Sequence, residues 1–324
     1  MRTPKFWTEK SLLSTSLLPL SVLYGLGARL RPLLVKPKDA GLPVLCVGNL
    51  TAGGAGKTPT VAALVSLLKD LGKNPHVISR GYKSKLPGPL CVKPSLHDAE
   101  EVGDEPLLLA RECPVWIGAD RVASALKAKA EGADVLIMDD GFQNPSLKKK
   151  QSLLVVDGNY GFGNQRLLPA GPLREPLSGG LERADAVLII GEDSCGLADF
   201  ATSHELIHGS VQVPKETAKE LSGRRVVAFA GIGLPEKFRR TLETIGANVT
   251  NFLPFPDHHD YAPQELKILS EKSEKQDAIL VTTEKDWVRL PPDFQSKVLP
   301  VPIRLGFSDP DQVANWLRGS LVGL

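Results

Sequence analysis

The run Pro43-Val44-Leu45-Cys46-Val47-Gly48-Asn49-Leu50-Thr51-Ala52-Gly53-Gly54-Ala55-Gly56-Lys57-Thr58-Pro59-Thr60 decides how this chain is read. It opens with a short apolar stretch, the pattern of a buried strand. A glycine-rich turn follows, then Lys-Thr, then apolar residues at helical spacing. Strand, glycine-rich loop and helix in that order are the context of a P-loop. Gly53, Gly54 and Gly56 let the backbone approach a phosphate and turn its N–H groups inward. The helix that follows adds the positive end of its dipole. Thr51, Ala52, Gly53, Gly54, Ala55, Gly56, Lys57 and Thr58 are therefore the expected nucleotide cradle. Within it Lys57 reaches the β- and γ-phosphates, and the Thr58 hydroxyl holds Mg²⁺. Thr51 stands where the strict pattern carries its first glycine.

The chain has 324 residues, and at roughly 150 residues per domain two domains are expected. Hydrophobic content of 42% and charged content of 23% are ordinary for a globular chain with a sizeable core. A net charge of +2 gives no general polyanion-binding surface, so nucleic acid is not an expected partner. Cys46, Cys91, Cys113 and Cys195 form no C-x-x-C pair and no metal-ligand spacing. Cys46 falls inside the predicted strand and reads as a buried thiol. A reducing, cytosolic setting fits.

Residues 1–38 stand apart. Arg2, Lys5, Lys10, Arg29, Arg31, Lys36 and Lys38 face a single acid, Glu9. Between them Ser11–Leu26 is largely apolar, with Leu13, Leu17, Leu20 and Tyr24 on one helical face. The charge order also suits an export signal, but a nucleotide site just downstream argues against export. A membrane-spanning helix is disfavoured, because the run is short, serine-rich and broken by Pro19. Basic flanks and an apolar stripe fit an amphipathic helix on an anionic membrane surface. The alternative is a helix packed on its own domain.

After the P-loop, Thr60–Leu71 is a predicted helix ended by Gly72. His76–Ser79 is a strand that runs into Arg80-Gly81-Tyr82-Lys83. At such a strand end Arg80 and Lys83 can meet phosphate and Tyr82 can stack on a base or sugar. An ordinary solvated basic turn is the competing reading. Asp98–Glu105, including Gly103-Asp104-Glu105-Pro106, reads as a solvated acidic loop leading into a helix. Pro114–Ala119 is a strand carrying Asp120 at its end, and Val122–Glu131 is a helix.

Ala133–Met138 followed by Asp139-Asp140-Gly141-Phe142-Gln143 has the form of a Walker B strand. Acids there position Mg²⁺ directly or through water; the plainer alternative is acids that start a helix. Ser152–Asp157 and Ala186–Ile190 are further strands. Between them Leu167–Leu177, rich in proline, is a rigid loop presenting Arg174 and Glu175. The alternation of strands and helices predicts a parallel sheet covered on both faces.

Residues 210–222 lose any clear pattern and read as a linker. Arg225–Ala230 restarts a strand. Helices at 236–246 and 264–272, strands at 278–283 and 298–304 and a last helix at 310–321 complete a second, smaller unit. In it Phe255-Pro256-Asp257-His258-His259-Asp260-Tyr261 places two histidines among acids. No further cluster at ligand spacing supports a metal. A histidine held by a carboxylate for proton transfer is the better reading.

The expected fold class is α/β: a P-loop NTPase-like α/β/α sandwich with a second, smaller α/β/α domain and an N-terminal amphipathic helix. The expected segments are the membrane-surface helix at 1–38, the P-loop domain at 39–209, the linker at 210–222 and the smaller domain at 223–324. The chain is poorly explained as a GTPase, because Asn-Lys-x-Asp is lacking and Thr283-Glu284-Lys285-Asp286 has its lysine displaced. The early second lysine of ParA-like ATPases is also missing, because Ala52 precedes Gly53.

Six motifs occur in order: Gly48–Pro59, Ser79-Arg80-Gly81-Tyr82, Gly103-Asp104-Glu105-Pro106, Asp139–Gln143, Leu168–Pro176 and Phe255-Pro256-Asp257-His258. Together they resemble the tetraacyldisaccharide 4'-kinase family of lipid A biosynthesis, from the basic N-terminal helix to the C-terminal domain. The resemblance implies transfer of the γ-phosphate of ATP, with Mg²⁺, to the 4'-hydroxyl of an acylated glucosamine disaccharide 1-phosphate, giving lipid IVA. It implies two α/β/α domains with the site in the cleft between them, at the cytoplasmic face of the inner membrane. No protein partner is implied. The family's catalytic Asp and His map onto Asp120 and His258, with Asp120 accepting the hydroxyl proton. Asp139 and Asp140 handle Mg²⁺ with Glu175 near the metal, Arg174 lies near phosphate, and Tyr82 contacts nucleotide or substrate. One departure is Gln143-Asn144-Pro145, where many members carry Gln-His; Asn144 cannot titrate. A membrane-associated ATPase switch and a soluble small-sugar kinase are the competing classes.

Overall fold

All five residues of Val44–Gly48 (β1) are buried, and this strand is the middle one of a nine-stranded sheet. A computed structural model describes residues 4–322, and within that range not the side chains of residues 31–33 and 322. The basic side chains of Arg2 and Arg31 therefore lie outside the described residues. The other strands are β2 (Pro75–Ser79), β3 (Leu90–Val92), β4 (Val115–Ile117), β5 (Val135–Asp139), β6 (Gln151–Asp157), β7 (Ala186–Ile190), β8 (Glu205–Gln212), β9 (Arg225–Ala230), β10 (Asn248–Pro254), β11 (Ile279–Thr283), β12 (Leu299–Val301) and β13 (Arg304–Phe307).

The large sheet runs β13-β8-β7-β6-β1-β5-β2-β4-β3, parallel except at its two edge pairs, β13–β8 and β3–β4. Side chains alternate along β1. Leu45 and Val47 join the core that buries Val61, Leu64, Val65 and Leu68 of the Lys57–Asp70 helix. Val44 packs on the opposite face with Ala125 and Ala128 of the Arg121–Ala130 helix. This is the expected α/β/α sandwich. Register then sets the site: Val47 pairs with Asp139 on β5 and with Leu153 on β6, so the P-loop leaves the sheet beside the acidic strand end.

The smaller sheet, β10-β9-β11-β12, is wholly parallel. Val226 and Ala228 bury on one face of β9 with Phe238 and Leu242, and Val227 and Phe229 on the other with Leu266 and Leu269.

Two expected boundaries move. Residues 210–212 are no linker but the end of β8, and the Lys215–Leu221 helix buries Leu221 in the small unit's core. The chain also returns to the large sheet at its end. β13 pairs antiparallel with β8, and Val313, Leu317 and Leu321 pack in the core with Leu64 and Val65. The reason is an edge: β8 pairs with β7 on one side, and β13 caps its open hydrogen-bonding side. The strand expected over 298–304 is accordingly two, one in each sheet.

The N-terminal segment forms helices over Leu12–Ser16 and Leu18–Leu33, with Pro19 tolerated in the first turn of the second. Its docked face is small and polar, with Ser14, Ser21 and Gly25 buried. The expected stripe of Leu13, Leu17, Leu20 and Tyr24 is not that face: Leu13, Leu20 and Tyr24 are exposed and Leu17 is half-buried. Leu23, Leu26 and Leu30 also point outward, at 66%, 52% and 57% exposure.

Candidate active site

The P-loop is shaped by contacts that its sequence makes obligatory. Gly56 has φ +85°, and a Cβ there would lie 2.6 Å from Ile190 Cδ1. Only glycine satisfies both conditions. A Cβ on Gly53 or Gly54 would meet nothing within 4 Å, so packing does not account for those two glycines. Buried Asn49 braces the loop from beneath. Its Nδ2 donates to Thr51 O at 2.8 Å, and its Oδ1 accepts from Lys57 Nζ at 3.0 Å.

Asp140 gathers the cations of the site. Lys57 Nζ lies 3.5 Å from its Oδ1, and Arg174 Nη1 is 3.0 Å from both of its oxygens. Burial pushes the Asp140 carboxyl up, but Lys57 and Arg174 outweigh it and hold the group below the ordinary carboxylate range. The residue sits in the left-handed region at φ +49°, a conformation Asp tolerates better than most residues. Arg174 is delivered by the proline-rich loop, which is laced to the P-loop: Ala52 N donates to Pro172 O at 2.7 Å and Arg174 N to Leu50 O at 2.8 Å.

Asp139 is the contrasting acid. It is 2% exposed; Oδ2 accepts from Ser79 Oγ at 3.3 Å, while Oδ1 is buried with no partner. Burial, with Glu105 and Asp140 nearby, pushes its carboxyl up to about 7. A buried carboxylate oxygen without a donor among crowded acids is what a divalent cation would satisfy. Among the described residues no group of three or more His, Cys, Asp or Glu could hold a metal. Mg²⁺ takes one or two carboxylates and fills its shell with water and phosphate. Asp139, with its partnerless buried Oδ1, fits that part. Glu175 does not take the expected metal position: Oε1 accepts from Gln143 Nε2 at 2.9 Å and Oε2 pairs with Arg183. Gln143 in turn donates to Asn49 O at 2.9 Å, so Glu175 braces the loop rather than facing a metal.

The smaller unit contributes His258. Its backbone N donates to Gly231 O at 3.0 Å, its φ is +56°, and its Nδ1 lies 3.0 Å from Asp104 Oδ2. Asp104 opens the Asp104–Leu109 helix and is 7% exposed. Burial raises its carboxyl, yet His258, Lys285 and Arg289 outweigh that and draw it down to about 2. Beside it Glu105 pairs with Lys285; the Lys285 ammonium holds Glu105 low against the cost of burial. Asp286, fully buried, anchors the arrangement: it accepts from Tyr261 OH at 2.6 Å, Gly231 N at 2.9 Å and Arg289 Nη2 at 2.8 Å.

Asp120 is not the partner of His258. Its Oδ1 caps the Arg121–Ala130 helix, accepting from Val122 N at 2.9 Å and Ala123 N at 3.0 Å. Strand end and helix start coincide there, and the side chain serves the helix. The acid facing His258 is Asp104, from the segment that sequence alone presents as a solvated loop. Lys285 and Asp286 were likewise hidden in a run that looked like a failed guanine motif, with Arg289 just beyond it. The available signal was a Thr-x-x-Asp cap directly after a buried strand.

Tyr82 is 69% exposed, with its ring centroid 6.3 Å from that of His258. With Arg80, Lys83 and Gly118 it lines an open groove of about 390 Å³. His259 turns away, stacking on Phe255 and meeting Glu265 Oε2 at 2.9 Å through Nε2. Asn144 closes a turn, its Oδ1 accepting from Ser146 N at 2.8 Å.

The family described as tetraacyldisaccharide-1-P 4'-kinase (LpxK) matches residues 13–322. Tetraacyldisaccharide 4'-kinase of Rhodospirillum centenum is 49% identical over 100% of this chain and 98% of its own length. That of Paramagnetospirillum magneticum is 46% identical over 96% of each. A crystal structure of "apo" form LpxK from Aquifex aeolicus in complex with ATP superposes with a TM-score of 0.78 at 32% identity, covering 96% of this chain and 100% of that one. The chain belongs to the tetraacyldisaccharide 4'-kinase family.

Proposed function

We propose that this chain transfers the γ-phosphate of ATP to the 4'-hydroxyl of a tetraacylated glucosamine disaccharide 1-phosphate, and that it does so at the cytoplasmic surface of the inner membrane. As a member of its family it is an ATP-dependent kinase of lipid A biosynthesis. One observation carries the mechanism: His258 of the small unit stands 3.0 Å from Asp104, which belongs to the unit that bears the P-loop. Glu105, next in sequence to Asp104, acts electrostatically on Asp139 and is itself influenced by Lys57.

Lys57, Arg174 and the loop amides bind the β- and γ-phosphates and offset charge as the γ-phosphoryl group leaves. Thr58 and Asp139 would hold Mg²⁺, which supplies charge neutralisation on the phosphates when bound. Asp104 stays ionised over the working pH range, and its Oδ2 lies 3.0 Å from His258 Nδ1. That fixes the ring so that Nε2 is free to take the acceptor hydroxyl's proton. Positioning supplies much of the remainder.

The membrane reading rests on the outward leucines of the Leu18–Leu33 helix and on exposed Lys5, Lys10, Arg29, Lys36 and Lys38 around it. No helix among the described residues is long and apolar enough to cross a membrane. An apolar face flanked by cations lies in an anionic interface, and four acyl chains keep the acceptor there. The test compares tetraacylated with deacylated acceptor. Matched ADP and lipid phosphate, with strong preference for the acylated form, is expected. ADP without lipid phosphate would instead indicate an ATPase switch.

A further inference from the structure

Asn164 is 5% exposed and joins the N-terminal segment to the loop that delivers Arg174. Its Nδ2 donates to Phe6 O and to Ala170 O, both at 2.9 Å; its Oδ1 accepts from Arg166 N at 3.0 Å. Its backbone N donates to Trp7 O at 2.7 Å, and Trp7 Nε1 donates to Pro169 O at 3.0 Å. Ser21, 4% exposed, makes the second join. Its Oγ donates to Leu167 O at 2.8 Å and accepts from Ala170 N at 3.0 Å. A Cβ on Gly25 would come within 2.6 Å of Leu167 Cδ1, so helix and loop are in close contact there. The same loop, a few residues on, holds the P-loop through Ala52 and Leu50 and Asp140 through Arg174.

We propose that Ser21 and Asn164 are positioning residues for the nucleotide site: the docked N-terminal helix fixes the loop from Asn164 to Glu175, and that loop fixes Thr51, Ala52 and Arg174 against the phosphates. The inference rests on the P-loop reading above. Prolines at 169, 172 and 176 restrict the loop's φ angles, so it transmits displacement rather than absorbing it. Without the N-terminal segment, buried Ala170 N would lose its Ser21 partner, and Leu167 O and the Asn164 amide would each lose one of theirs, so the loop would rearrange to find others. The membrane-facing helix and the nucleotide site are therefore coupled, and coupling is reciprocal: nucleotide that binds better to the docked form also holds the helix down.

The experiment measures Mg-ATP affinity of full-length protein without lipid, for wild type, Asn164→Ala and the milder Ser21→Ala. Circular dichroism establishes that each variant is folded, and amide exchange is followed over residues 12–30 and 50–54. The dissociation constant is expected to rise about three- to tenfold in each variant, the range of mutational effects on coupling. Exchange at 50–54 should rise with it, and Mg-ATP should slow exchange at 12–30 in wild type only. A purely local packing defect would lower Tm and leave nucleotide affinity and the exchange at 50–54 alone. Affinities within twofold of wild type in both folded variants would overturn the proposal. Failure of wild type itself to bind Mg-ATP would overturn the P-loop reading, and this proposal with it.

Discussion

His258 Nδ1 lies 3.0 Å from Asp104 Oδ2, and the two residues come from different units of the fold. Asp104 opens a helix of the large unit, while His258 follows β10 of the small one. Arg289 and Lys285 reach across the same boundary to Asp104 and Glu105. The carboxylate is thus held by cations of the facing unit.

Asp104→Asn and His258→Ala are expected to lower kcat by about 10²- to 10⁴-fold, the usual worth of a positioned proton acceptor. Asp120→Ala should instead remove a helix cap, costing about 1 kcal/mol of stability with turnover near native. Steady-state kinetics beside thermal melts of the three variants separates the roles. Lost turnover in Asp120→Ala with near-native Asp104→Asn would restore Asp120 as the acid.

Asp104 also sets an acid limit. Its carboxyl titrates near 2 in the fold against 3.8 ordinarily, so folding favours the ionised form. That stability is present above the ordinary carboxylate range and is lost as pH falls from about 4 to about 2. The shift of 3.8 − 2 = 1.8 corresponds to about 2 kcal/mol. Denaturation at a series of pH values should show wild type losing this increment on acidification, while Asp104→Asn does not. Parallel curves would contradict the ion-pair assignment.

Asp139 is built the other way. Its raised carboxyl and partnerless Oδ1 mean that ionisation costs stability as pH rises from about 4 through 7. Asp139→Asn is therefore expected to melt a few degrees higher than wild type at pH about 8 without Mg²⁺. Wild type should gain stability on adding Mg²⁺, the variant little, and the variant should lose turnover. An equal Mg²⁺ response in both would place the ion elsewhere.

The outward face of the N-terminal helix gives a binding prediction. Leu23→Glu or Leu26→Glu places a charge on that face and should reduce co-sedimentation with anionic vesicles severalfold. Raised salt should weaken wild-type binding as well, through the flanking lysines. Unchanged sedimentation would leave the helix as a packing element alone.

The large sheet was legible because Val44–Gly48, Val135–Asp139 and the helix after Lys57 carry unbroken local patterns, and register alone then brings Lys57 and Asp140 together. What was not legible is non-local. Nothing in Arg304–Phe307 says that it caps β8 rather than joining the sheet it follows. Nothing local says that Asp104 is buried, since its partners His258 and Arg289 lie more than a hundred residues away. Asp120 was assigned the acid's role through the family resemblance; a carboxylate at a strand end can equally begin the next helix, and here it does. The N-terminal helix docks by serines and a glycine while its leucines face out, the reverse of a globular helix.

Phosphoryl transfer to a lipid hydroxyl is proposed to need the P-loop and the Asp104–His258 pair together. The most direct measurement incubates the protein with Mg-ATP and tetraacyldisaccharide 1-phosphate in detergent and weighs the lipid by mass spectrometry. One added phosphate, matched by ADP, absent in Lys57→Ala and nearly absent in Asp104→Asn, is the predicted result. Unchanged lipid mass with ATP consumed, or full phosphorylation by Lys57→Ala, would contradict it.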